Sequence, residues 1–202
     1  MLLLMVVVML LMADQICHDY ESGAFKTIYS QPIAREKLMI AKVISATIVI
    51  LLAFLAALAL FSILPLTTYG MGSSAYPYVV HTYDVLPWSG LMVRVIPFTF
   101  LVLVFYMMVA ALLASWQKTI SNTMLCAGSV LILIYFLIRI FGSSLPLFSW
   151  VPFFYMAPIE IVTHDFALDL LPCTALCIAG ILLFFILNII VVKRKDLEGG
   201  TR

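Results

Sequence analysis

Few side chains in this sequence could do chemistry, and their spacing does not assemble a metal site. Cys173 and Cys177 lie four positions apart, which would place both thiols on one face of a helix. A structural zinc site needs further Cys or His ligands, and apart from Cys177 itself the apolar run 174–192 contains neither residue. We therefore expect both cysteines to be small packing residues, and we predict no metal site.

The sequence also lacks an arrangement of residues that could form a catalytic site. Ser143 and Ser144 precede His164 in one connection, whereas an intramembrane serine nucleophile would have to be buried on a helix with its base on a neighbouring one. His18 and His81 fall in other connections. The sequence contains neither the G-x-x-x-x-G-K-[ST] phosphate loop nor the H-E-x-x-H motif. We predict that the chain is not an enzyme, carries no catalytic residue and needs no cofactor.

Composition points to an integral membrane protein. The 202-residue chain is 65% hydrophobic and 10% charged, whereas soluble proteins are nearer to about 45–50% apolar and about 25% charged. The net charge of +1 is too small and too scattered for a nucleic-acid-binding face. We expect one transmembrane domain over residues 1–202 and no nucleic-acid partner.

Four apolar runs are long enough to cross a bilayer of about 30 Å as helices: Val43–Leu64, Val95–Ala114, Asn122–Phe141 and Thr174–Val192. A fifth run, Met1–Met12, would be only about 18 Å long as a helix. We interpret it as part of a span truncated at its beginning. The predicted fold is all-α, with about five membrane helices.

Lys and Arg residues set the expected orientation. Ser62–Val93 and Gly142–Pro172 contain neither residue, whereas the connection 13–41, the turn 115–121 and the tail 193–202 do. Cationic loops stay in the cytoplasm. We therefore expect a multi-pass protein of the plasma (inner) membrane, with the tail and the connection 13–41 in the cytoplasm.

The expected outer connection, 143–171, is too apolar for a free loop and is interrupted by three prolines. Proline limits helix length, so we predict two short helices packed at the outer face, with a dip into the membrane as the alternative. The aromatic run is typical of an interfacial belt, with a substrate-lining role as the alternative: Phe148, Trp150, Phe153, Phe154 and Tyr155.

Three cations lie close to the ends of spans: Lys42, Arg94 and Arg139. We expect their long side chains to reach the headgroups. Arg139 lies deepest, and the alternative for it is a position facing the bundle interior, where it would contact an anionic group of a substrate. It is the candidate pathway residue.

The connection 13–41 carries charges of both signs. Acidic residues favour a helix start at Asp19–Gly23, and an apolar stripe at helical spacing follows: Phe25, Ile28 and Tyr29. Pro32 disfavours helix at the residue before it and suits the first turn of the next one. We predict a short cytoplasmic helix, a corner, and a second helix that continues from Ile33 through Arg35 into the membrane.

The spacing of polar residues in this connection resembles a known family. The pattern E-x-G, then S-x-P-x-x-R, then a lysine at the start of a span, is similar to the permease subunits of ABC-2-type ABC transporters; the matching positions are Glu21, Gly23, Ser30, Pro32, Arg35 and Lys42. The order of spans and connections is also similar over nearly all of the chain.

The resemblance implies a role for the region 19–37 as a coupling helix that docks in a groove of a separate ATP-binding cassette ATPase. Gly23, Ser30, Pro32 and Arg35 would then shape the coupling element, with Glu21 at its start. The stripe of Phe25, Ile28 and Tyr29 would lie on the membrane or enter the ATPase groove. The resemblance also implies a second permease copy or a homologous permease as partner, and export as the direction of transport.

A second hypothesis is a non-transporting membrane anchor, an interaction subunit or an immunity-type protein that uses the same cytoplasmic element. It is favoured because the family's first span has no counterpart before Met1. Association with an ATPase would distinguish the two hypotheses.

Overall fold

Helices account for most of the described part of the chain. The computed structural model describes residues 1–22, 35–69, 77–80, 84–117, 119–141, 150–162 and 169–199. In chain order the elements are α1 (Leu2–Glu21), α2 (Arg35–Tyr69), β1 (Pro77–Val80), β2 (Asp84–Pro87), α3 (Trp88–Gln117), α4 (Ile120–Phe141), a 3-10 turn (Pro152–Phe154), α5 (Pro158–Val162) and α6 (Leu170–Gly199).

Five of these helices contain a segment long and apolar enough to cross a membrane: Leu2–Glu21, Lys37–Leu60, Ser89–Gln117, Ile120–Ile138 and Leu170–Lys193. Helices suit such sequences because their backbone donors and acceptors pair within the segment, where lipid offers no partners. The prediction of an all-α membrane protein with about five membrane helices is confirmed.

The first helix is longer than its apolar run. It continues beyond Met12 to Glu21 and ends at Ser22, whose backbone N–H and hydroxyl both donate to the carbonyl oxygen of His18, at 2.9 and 2.7 Å. Asp19 and Glu21 therefore close α1, and the prediction that Asp19–Gly23 begins a separate helix is wrong. The signal misled because acidic residues favour a helix start, whereas here each carboxylate has a partner on another helix.

The centre of the bundle is α3, which packs most extensively against α1 and α6. Small side chains on α3 are completely buried at Ala110, Ala111 and Ala114, and small residues let membrane helices approach closely. Both α2 and α6 keep many apolar side chains exposed, as helices at the perimeter of a membrane bundle do.

The segment 150–162 enters the bundle between α3 and α6. Phe153 in the 3-10 turn makes edge-on ring contacts with Phe105 of α3 and Phe184 of α6, at centroid distances of 5.1 and 5.9 Å. The Tyr106 hydroxyl donates to the Phe153 carbonyl oxygen at 2.6 Å. Phe105, Tyr106 and Phe184 lie near the middle of their spans, so a single 3-10 turn, rather than a continuous α-helix, reaches well inside the bundle. Such backbone is tolerated at membrane depth only when protein or water surrounds it.

The connection contains two short helical elements, as predicted: the 3-10 turn and α5. Their placement at the outer face stays a prediction. The prediction of an interfacial belt fits Trp150, which is 59% exposed, but is wrong for Tyr155, which is fully buried. The Tyr155 hydroxyl shares a hydrogen bond with the Cys173 thiol, and burial raises the pKa of Tyr155. Proline and aromatic residues are typical of an interfacial anchor and also of a segment inserted into the bundle. The sequence alone therefore could not distinguish the two.

A two-stranded antiparallel hairpin precedes α3. Its register pairs Pro77 with Pro87 and Val80 with Asp84, and it lies against α3. No pattern in the sequence predicted this element, which occupies the loop between the second and third candidate spans.

Candidate functional site

The last turns of α1 bind the beginning of α2. Lys42 forms an ion pair with the Asp19 carboxylate and donates a second hydrogen bond to the Gln15 carbonyl oxygen at 2.6 Å. The Ser45 hydroxyl lies 3.5 Å from the Gln15 side-chain oxygen. Lys42 had been expected to extend towards lipid headgroups; instead it pairs within the protein. Its ammonium group therefore fixes α2, which follows residues 23–34 in the chain, to α1, which precedes them.

The same turns of α1 bind the junction of α3 and α4. The Cys17 thiol donates to the Ala114 carbonyl oxygen at 3.7 Å and shares a hydrogen bond with the Thr123 hydroxyl at 3.4 Å. Cys17 and Thr123 are completely buried. Cys17 belongs by sequence to the polar connection 13–41, but helix α1 extends far enough to carry it into the core. Glu21 accepts a hydrogen bond from the Ile120 backbone N–H at 2.7 Å.

These contacts make one polar cluster, which we call the α1 hub: Gln15, Cys17, Asp19 and Glu21 with their partners on α2, α3 and α4. The hub lies where residues 23–34 leave α1 and rejoin the bundle at α2. The hub therefore joins the end of α1 to α2, α3 and α4.

The predicted site residues fall into three groups. Glu21 lies in the hub, and Arg35 is the first residue of α2, as the predicted continuous helix into the membrane requires. Six others lie outside the described residues: Gly23, Phe25, Ile28, Tyr29, Ser30 and Pro32. The side chains of Arg35 and Arg139 also lie outside the description; the backbone of Arg139 belongs to the last turn of α4.

Sequence reasoning missed a buried amide in α6. Asn188 is 1% exposed and donates to the carbonyl oxygens of Met108 at 3.2 Å and Phe184 at 2.9 Å. Its side-chain oxygen has no hydrogen-bond partner among the residues described. A lone Asn inside an apolar run is a signal that the sequence does contain, since polar residues inside membranes are costly and face the bundle interior.

The two cysteines of α6 lie in the packed core. Cys173 and Cys177 are fully buried on α6, and no group of three or more His, Cys, Asp or Glu side chains that could hold a metal ion occurs in the described portion of the chain.

Comparison with known proteins gives one match. A family model described as "ABC-2 family transporter protein" matches residues 1–154. Searches of curated proteins and of solved structures gave no match.

Proposed function

Because the chain belongs to the ABC-2 family of transporter proteins, we propose that it is the permease subunit of an ATP-driven transporter. Five candidate membrane spans supply the membrane-embedded part. The sequence has no Walker A motif, so ATP would be hydrolysed on a separate ATP-binding cassette ATPase. The observation that carries this proposal is the α1 hub, which holds both ends of the segment 23–34 in the bundle.

The proposed orientation places the hub in the cytoplasm. Lys and Arg are absent from 70–93 and 142–172 but occur around the hub and after the last span, as the positive-inside rule requires for cytoplasmic segments. The ATPase would then meet the segment 23–34 directly, and the hairpin and the inserted segment 150–162 would lie on the outer side of the bundle. We place the protein in the plasma membrane.

The proposed mechanism is alternating access driven by contact. ATP binding closes two ATPase subunits, their movement displaces the coupling region of each permease, and two permease subunits rock relative to each other. The partner permease is a second copy or a homologue. Export is the direction proposed, and Arg139 is proposed to contact an anionic group of the cargo in the pathway. A ligand shifts such an equilibrium only through different affinities for the two states, so ATP must favour one conformation of the ATPase pair.

Association with the ATPase tests the proposal. A photo-crosslinking amino acid at Tyr29 should capture an ATP-binding cassette protein in membranes, and the same amino acid at Trp150 should not. Arg35→Glu should preserve membrane insertion and abolish ATP-driven transport, because charge reversal acts at the proposed docking element. Intact insertion with no captured ATPase at either position would overturn the permease proposal and favour a membrane anchor.

A further inference from the structure

The first turn of α4 is capped by a residue from another helix. Ile120 is the first residue of α4, and its backbone N–H has no acceptor within its own helix, as for the first N–H groups of any helix. The acceptor is the Glu21 side-chain oxygen, at 2.7 Å and 99 positions earlier in the chain. The carboxylate also lies at the positive end of the helix dipole, where negative charge is favourable.

The usual local cap is not used here. Thr119 precedes α4, and threonine in that position commonly accepts a hydrogen bond from the first turn. Its hydroxyl oxygen is instead buried without a hydrogen-bond partner among the residues described. Its carbonyl oxygen accepts from the Thr123 backbone N–H at 3.1 Å and hydroxyl at 2.8 Å. The start of α4 therefore depends on α1 for its cap.

Glu21 is one of two attachments at this junction. One turn earlier in α1, Cys17 contacts Ala114 near the end of α3 and Thr123 in the first turn of α4. Two attachments one turn apart resist both sliding and rotation of α1 against α4. Since Glu21 is the last residue of α1, it joins the C-terminal end of that helix to the start of α4.

We propose that Glu21 is a positioning residue that transmits movement of the end of α1 to α4 through the Ile120 N–H, and that it is not a contact to the ATPase. This inference rests on the proposed function and narrows it, because the pattern E-x-G had placed Glu21 in the docking element. The two roles need different chemistry. A cap needs an acceptor oxygen, whereas an ion pair with a partner needs the negative charge.

Two substitutions separate these roles. Glu21→Gln retains an acceptor oxygen of nearly the same reach and removes the charge, whereas Glu21→Ala removes both. Asp14→Ala is the matched control: Asp14 is an exposed acidic residue of the same helix.

Hydrogen–deuterium exchange on the full chain in lipid nanodiscs, without an ATPase, tests the cap itself. Glu21→Ala should accelerate exchange at Ile120 by roughly fivefold, consistent with the loss of a helix cap. Glu21→Gln should accelerate exchange less than Glu21→Ala does, because it keeps the acceptor oxygen and loses only the favourable charge at the helix N-terminus, and Asp14→Ala should exchange as the wild type does. Unchanged exchange in Glu21→Ala would overturn the capping contact, whatever the protein transports.

Movement of α4 tests the transmission. A fluorescent amino acid at the exposed Ser121 should report an ATP- and vanadate-dependent change in the complex with the ATPase. We expect this change to persist in Glu21→Gln and to disappear in Glu21→Ala, with the ATPase still bound in both. Loss in both variants would assign Glu21 to a charged contact and overturn the inference. Absence of any bound ATPase in the wild type would contradict the proposed function while leaving the exchange result intact.

Discussion

Lys42 near the beginning of α2 and Asp19 near the end of α1 form an ion pair that joins these two helices. Lys42 also donates to the Gln15 carbonyl oxygen. Its ammonium group is thus held by one charged and one neutral acceptor on the same face of α1. The side chains of Lys42 and Asp19 are 21% and 20% exposed, so solvent screens the ion pair only partly.

Removal of either partner should destabilise the bundle. Asp19→Asn or Lys42→Met leaves the other charge largely buried, and we expect each to lower the free energy of unfolding by about 1–3 kcal/mol. The double variant should lose less than the two single losses combined. Thermal unfolding in nanodiscs measures this cycle, with the exposed Lys37→Met as control. Additive losses would show that the two residues do not interact.

The hydroxyl of Tyr106 anchors the inserted segment. Tyr106→Phe removes the donor to the Phe153 carbonyl oxygen and keeps the ring, so we expect a loss of about 1–3 kcal/mol from the unsatisfied buried acceptor. Amide exchange at residues 153–157 should also increase. Tyr135→Phe is the matched control, because Tyr135 is 44% exposed. Equal effects of the two substitutions would contradict an anchoring role.

Two glycines should respond in opposite ways to alanine. A Cβ at Gly180 would lie 2.7 Å from Cε2 of Phe105, and that ring is already in contact with Phe153 and Phe184. Gly180→Ala should therefore destabilise the protein by about 1–2 kcal/mol through overpacking.

The second glycine supplies the control for the first. A Cβ at Gly128 meets nothing within 4 Å, and alanine has the higher helix propensity, by about 1 kcal/mol. Gly128→Ala should be neutral or slightly stabilising in the same thermal unfolding assay. A stabilised Gly180→Ala protein would contradict the packing seen around Phe105.

The spans were predictable, whereas the contacts between them were not. Apolar runs located the spans because only continuous helix satisfies the backbone in lipid. The Asp19–Lys42 pair required knowledge that α1 continues past Met12, which no apolar run signals. The sequence left the insertion of Phe153 open, because an aromatic residue beside proline suits a membrane surface and a bundle interior equally well.

Substitutions of Asn188 test whether water reaches the centre of the bundle. Asn188→Leu removes both donated hydrogen bonds and also the side-chain oxygen that lacks a described partner. Hydrogen bonds between membrane helices contribute about 0.6 kcal/mol on average, so we expect this variant to lose no more than about 1 kcal/mol.

Asn188→Asp should be far more harmful at neutral pH. A carboxylate cannot donate to the carbonyl oxygens of Met108 and Phe184, and a charge inside a membrane helix costs about 2.5 kcal/mol or more. Acidification should reduce the deficit, because protonation removes the charge and supplies a donor. Thermal unfolding of both variants between neutral and acidic pH measures the contrast. Equal stability of Leu and Asp variants at neutral pH would show that water reaches residue 188, against the burial of Asn188 in this fold.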